Sequence, residues 1–230
     1  MLTFGYYRDK FARLYEAVKA AHEQSATGHS GHGLDHDVSV AMMAVLIAIE
    51  SGMSKSQTDQ TAMAFVAGLI HSTDTVVGKD KEVRQLDFLL GHLPNGFTSG
   101  QVAEIAEAVL RHTEFKDRNV ETRKLTQRIL MDADKLVNLN PLHIIRAGQH
   151  YPSIPAIELQ FIGTRNPAST HHQPTSIIED LYDSLEWIEP GWFHLPNAQR
   201  RAEKMSRQHR AFITEAEEMF HELGLAGIKL

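Results

Sequence analysis

Residues 54–71, SKSQTDQTAMAFVAGLIH, constrain the fold more than any other stretch of the chain. From Ala62 onward nearly every position is apolar, so the segment reads as a helix that is apolar on most of its sides. Such a helix cannot lie on a surface and must be surrounded by other elements. Those around it also read as helices. Phe11, Leu14, Tyr15, Val18 and Ala21 recur at helical spacing in residues 7–24. HDVSVAMMAVLIAIESG forms a second helix, with Asp35 as its cap and Gly52 as its stop. Residues 81–91 and 98–112 make two more. ETRKLTQRILMDADKLVNL runs into Pro141 and ends near it. IIEDLYDSLEWI and the long NAQRRAEKMSRQHRAFITEAEEMFHELG complete the chain, with Gly224 as a stop.

The expectation is an all-α fold in one compact helical bundle spanning residues 1–230. Between about 150 and 175 the helical period fails. Four prolines fall in HYPSIPAIELQFIGTRNPASTHHQPTS, which reads as a long connection with short helical pieces. A chain of 230 residues, 42% hydrophobic and 23% charged, holds enough apolar material for a sizeable core.

The bulk chemistry narrows the partners. A formal charge of −6 argues against a nucleic-acid polymer, whose binders carry a basic excess. It leaves room for a small phosphorylated ligand held by a local cationic site. No apolar run reaches the length of a bilayer, so a membrane is not expected as a partner. The chain has no cysteine, which rules out disulfides and thiolate metal sites and fits a cytoplasmic setting. Apolar residues of the terminal helices offer a face for a homodimer.

Metal-ligand chemistry is concentrated at four places: His32 and His36 in HGLDHDVSVA, His71 followed by Asp74, His112 in AVLRHTEF, and Asp132 with Asp134 in ILMDADKLVNL. One histidine on a half-apolar helix is more often a hydrogen-bonded core residue than a ligand. The DAD pair is more demanding, because a buried carboxylate without a partner is costly. Its two aspartates point about 200° apart on a helix, so one should face inward and the other outward. Imidazoles together with carboxylates suit a divalent cation such as Mn, Fe, Ni, Zn or Mg. Water bound to such an ion becomes a nucleophile near neutral pH, and the ion polarises a phosphoryl oxygen.

The order of these residues along successive helices resembles the HD-domain superfamily of metal-dependent phosphohydrolases, in particular the small single-domain hydrolases. The family's DADRLDALGAIGIAR is matched here by DADKLVNLNPLHIIR, with Asp134 and Arg146 at the family's spacing. HDVSV fits the family's HxxxV element, AFVAGLIH fits AALLHD, and the closing helices are similar too. The likeness runs over most of the chain. It implies His36, His71 and Asp134 as ligands of a divalent metal ion, with Asp132 the weaker alternative to Asp134. His112 would stand on the leaving-group side, Lys79 matches a lysine after the doublet, and Arg146 would neutralise phosphate, with Lys135 a weaker candidate. The implied reaction is hydrolysis of a nucleotide or another small phosphorylated molecule.

The chain departs from the family pattern at one telling place. The aspartate of the HD doublet is Ser72, a neutral and weak ligand. Asp74 could swing back to replace it as a ligand or in activating water, or could simply cap a turn. Completion of a different coordination set by His32 or Asp37 is a further arrangement. Ser39 also stands where the family has a basic residue, and LNPLH replaces a glycine-rich turn. Two functions are compatible with this pattern: a metal-dependent phosphohydrolase, or a catalytically degenerate protein that binds a phosphorylated ligand without hydrolysing it. On the first reading, replacing Ser72 by Asp is expected to raise metal affinity. His171 and His172 read as surface residues.

Overall fold

The computed structural model describes residues 3–25, 33–52, 58–113, 123–170, 173–189 and 191–229. Among them there are helices and no strands, apart from one isolated bridge between Thr170 and Gln173. The helices are α1 (Phe4–Lys10), α2 (Ala12–Gln24), α3 (Leu34–Glu50), α4 (Thr58–Leu69), α5 (Thr73–Val77), α6 (Glu82–Leu90), α7 (Ser99–Leu110), α8 (Leu125–Val137), α9 (Leu142–His150), α10 (Ile177–Glu186) and α11 (Pro196–Glu222). No helix among the described residues is long and apolar enough to cross a membrane.

α4 is the hub that its sequence requires. Every residue from Ala62 to Ile70 is buried. α3, α7 and α8 pack around it. Its Phe65 is stacked by Tyr7 and Phe11, with ring centroids 4.7 and 5.5 Å apart. Those two rings explain a difference from the periodicity, which predicts one helix over 7–24. The chain breaks at Phe11 into α1 and α2, with Phe11 outside helical geometry at ψ 31°. Both aromatic residues are thereby buried against α4.

Contact between α3 and α4 is made through the backbone. A methyl group added at Gly68 would lie 2.5 Å from Ala41 Cα and 2.7 Å from Ala41 N. Any side chain there would hold the two helices apart. The start of α3 also differs from expectation: Gly33, not Asp35, is the N-cap, and Asp35 lies in the first turn. Gly52 does stop α3, with a positive φ of 81° that favours glycine.

A second, smaller cluster joins α9, α10 and α11 through Ala147, Ile178, Leu181, Leu185 and Ile213. Among its described residues, the connection from 151 to 176 contains one 3₁₀ turn, at Leu159–Phe161. Beside the apolar contacts of Ile157 and Ile162, polar contacts order it. Arg165 donates to Glu179 at 2.6 Å and also bonds Asp183 and Glu186 on α10. The first amides of α10, at Ile177 and Ile178, donate to the carbonyls of Pro155 and Ala156 at 3.0 and 3.1 Å. The connection thus satisfies donors that the start of a helix would otherwise leave unpaired.

Gly68→Ala should therefore overpack the centre of the bundle, at a cost of about 1–3 kcal/mol. Thermal melting of the purified variant checks this, and a melting temperature equal to wild type would contradict the backbone contact.

Candidate metal centre

The end of α4 decides where His71 points. After Leu69 the chain tightens, with Thr73 N donating to Ile70 O at 3.3 Å, so His71 sits in the turn before α5. Its Nδ1–H donates to the carbonyl of Gly68 at 2.7 Å. That bond fixes the tautomer and leaves the Nε2 lone pair available, the second contact a metal-binding imidazole usually has. The first turn of α3 brings His36 opposite, and its Nε2 lies 3.2 Å from His71 Nε2. From α8, Asp134 Oδ1 comes to 3.3 Å from His36 Nε2 and 3.8 Å from His71 Nε2. The side chains of His36 and His71 are 1% and 2% exposed and that of Asp134 is 15%, so the group opens on the aspartate side.

His36, His71 and Asp134 form the one group among the described residues whose donor atoms lie close enough to share an ion, all within 4.8 Å of one another. Donors to one transition-metal ion at about 2.1 Å stand roughly 3–3.5 Å apart. Two of the three separations fall in that range and the third exceeds it by a few tenths. Protonation states fit as well. Burial holds the His71 imidazole below its ordinary value, which keeps it neutral. Burial alone would raise Asp134, but the hydrogen bond with His36 reverses this and holds its carboxyl well below the usual carboxylate range. The group could hold a metal ion.

His112 stands beside it, just beyond α7. Its Nδ1–H donates to Val109 O at 2.5 Å, and its ring meets that of His71 edge-on with centroids 5.5 Å apart. Arg146 on α9 is half-buried and donates to Asn138 Oδ1 at 3.0 Å. Burial lowers its pKa, and the charges of Asp134, Asp35, Asp37 and Asp180 act against this. The guanidinium therefore lies in the field of the Asp134 carboxylate.

Other expected residues are placed elsewhere. Asp74 is not a member of the ligand group. It lies in the first turn of α5 and accepts from its neighbour Thr75 N at 2.8 Å. Its charge acts on Glu82 across the turn to α6. Lys79 is exposed in that same turn and also acts on Glu82. Asp132 is fully buried on the far side of α8, so the expected division into an inward and an outward aspartate is met only in part: Asp134 keeps 15% of its side chain exposed. The start of α11 covers that side: Asp132 accepts from the amides of His194 and Leu195 at 3.0 and 2.9 Å and from His194 Nδ1 at 2.8 Å. Lys135 is buried too, held by a bond to Trp192 O at 3.0 Å, and burial pushes its pKa down to about 8. His32, His171 and His172 lie outside the described residues.

The sequence carried a weaker trace of what surrounds Ser72. Asp37, one residue after His36, is 1% exposed and accepts from Ser72 Oγ at 2.6 Å and from His22 Nε2 at 2.8 Å. The aspartate was visible beside His36, but its pairing with a histidine on α2 has no local signal.

No protein-family model matches the chain. No curated protein matches it either. Among solved structures, the chain is similar to the crystal structure of a protein from Lactobacillus plantarum determined as a structural-genomics target. The two share 18% identity over 96% of this chain and 100% of that one, with a TM-score of 0.67. At that identity the likeness concerns the fold alone.

Asp132 and Asp134 should separate cleanly on substitution. Asp132→Ala strands two buried amides and should cost about 2–4 kcal/mol of stability. Asp134→Ala should cost less stability but abolish metal binding. Paired melting and metal titrations test this, and an Asp132→Ala variant that melts like wild type yet loses metal would reverse the assignment.

Proposed function

We propose that the protein is a metal-dependent phosphohydrolase of the HD-domain type, acting on a nucleotide or another small phosphorylated molecule. The observation that carries this reading is the convergence of His36, His71 and Asp134 from three separate parts of the chain. His71 is already oriented by the Gly68 carbonyl. A divalent cation held there would supply Lewis acidity towards water and a phosphoryl oxygen. The chain's own residues supply the rest. Arg146, which lies in the field of Asp134, offers a forked guanidinium to phosphate oxygens. His112 has committed Nδ1 to Val109, so Nε2 is the nitrogen that can accept or deliver a proton at the leaving group. Lys79, exposed on the α5–α6 turn, fits screening of incoming anions better than contact with the reacting atoms. A cytoplasmic setting suits such a substrate.

One observation favours a second reading, in which the chain binds a phosphorylated ligand without hydrolysing it. Ser72 replaces a carboxylate at the doublet, and Asp74 does not take its place.

Metal content and turnover separate the two. Purified protein should carry close to one equivalent of a transition metal by elemental analysis. It should release phosphate from at least one member of a panel of nucleoside mono-, di- and triphosphates in Mn²⁺. His71→Ala should lose both properties. Arg146→Ala should keep the metal and raise KM about tenfold or more, as expected for a lost charge-assisted bond. Full metal occupancy with no turnover on any phosphate ester would support the binding reading, and absence of metal affinity in wild type would overturn the first.

A further inference from the structure

Position 72 lacks the carboxylate, yet a carboxylate reaches it from another helix. Ser72 Oγ–H donates to Asp37 Oδ1 at 2.6 Å, the length of a charge-assisted bond. The same Oγ lies 3.3 Å from His71 Nε2, the nitrogen that faces His36 and Asp134. Asp37 Oδ1 is also 3.6 Å from His71 Nδ1. Its other oxygen accepts from His22 Nε2 at 2.8 Å, which anchors the carboxylate to α2. Ser72 and Asp37 are 2% and 1% exposed, so water does not compete for these bonds.

A hydroxyl has one proton and two lone pairs. Here the proton is committed to Asp37, and the lone pairs are what Ser72 presents on the His71 side. A serine bonded in this way is a better donor to a cation than a free one, because the carboxylate behind it increases the charge on oxygen. The same logic operates when a carboxylate stands behind a metal-bound imidazole.

We infer that Ser72 and Asp37 act as a unit that supplies the fourth donor of the metal centre, with Ser72 Oγ facing the ion and Asp37 holding its proton. Asp37 is a positioning residue and not a ligand. The inference rests on the metal-binding reading above and deepens it: the negative charge missing from position 72 stands one hydrogen bond further out. It also reverses the expectation drawn from the sequence. Ser72→Asp would set a second carboxylate against Asp37 in a buried space, where like charges oppose each other. The substitution should not rebuild the site unless Asp37 is neutralised with it.

Titration calorimetry of the full chain with Mn²⁺, paired with melting of the metal-free protein, tests this. Ser72→Ala and Asp37→Asn should each weaken Mn²⁺ binding about 10–100-fold. The double variant should be no weaker than the worse single one. Ser72→Asp should bind no more tightly than wild type, and Ser72→Asp with Asp37→Asn more tightly than Ser72→Asp alone. Wild-type affinity in Asp37→Asn, with at most a lowered melting temperature, would make the pair structural and overturn the inference while leaving the metal centre intact. Should Asp37→Asn fail to fold, Ser72→Ala decides: unchanged affinity overturns the unit. A wild-type protein that binds no Mn²⁺ would overturn this inference together with the metal reading.

Discussion

The candidate centre depends on how closely α3 and α4 approach. At Gly68 the backbone of α4 lies against that of α3 at Ala41, with no room for a methyl group between them. The same glycine supplies the carbonyl that orients His71. One residue thus sets both the distance between two helices and the direction of a ligand three positions later. Were the helices held a side chain further apart, the His36 and His71 nitrogens could not stand 3.2 Å from each other. Dense packing converts this small spacing into a fixed geometry, since the apolar α4 is enclosed on all sides and cannot relax outward.

Around that contact the buried acids are each assigned donors. Asp134 faces the two imidazoles. Asp132, two residues away, faces the opposite side of α8 and ties down the start of α11. Asp37 is held by Ser72 and His22. These are three solutions to one problem, since a carboxylate removed from water must be matched by hydrogen bonds or positive charge. Only Asp134 leaves a side open to solvent, and Arg146 stands within its field. Of these three acids, the partly accessible one is therefore the one whose charge acts on a guanidinium.

Much of the fold was legible because helical period and enclosure are written locally. The apolar run from Ala62 announced a central helix, and Gly52 and Gly224 marked real helix ends. What escaped depended on contacts distant in sequence. Nothing in residues 7–24 indicates that Tyr7 and Phe11 must both reach Phe65, yet that demand breaks the helix. The DAD pair was read from helical angle alone, which gives directions but not what covers each face; the entry to α11 covers the face to which Asp132 points. At the site, residue type marked four candidate places, and the resemblance singled out His36, His71 and Asp134, which the structure brings together. Asp74 was offered either as a ligand or as a local hydrogen-bond acceptor; it lies outside the clustered group and accepts from Thr75 N. The Ser72–Asp37–His22 chain joins three parts of the sequence and has no signature in any one of them.

Crystals grown with Mn²⁺ and measured for anomalous scattering would test the central claim most directly. The account predicts one strong peak enclosed by His36 Nε2, His71 Nε2 and Asp134 Oδ1, with Ser72 Oγ on its His71 side. A peak confined to other residues, or none at this group with Mn²⁺ in excess, would contradict it.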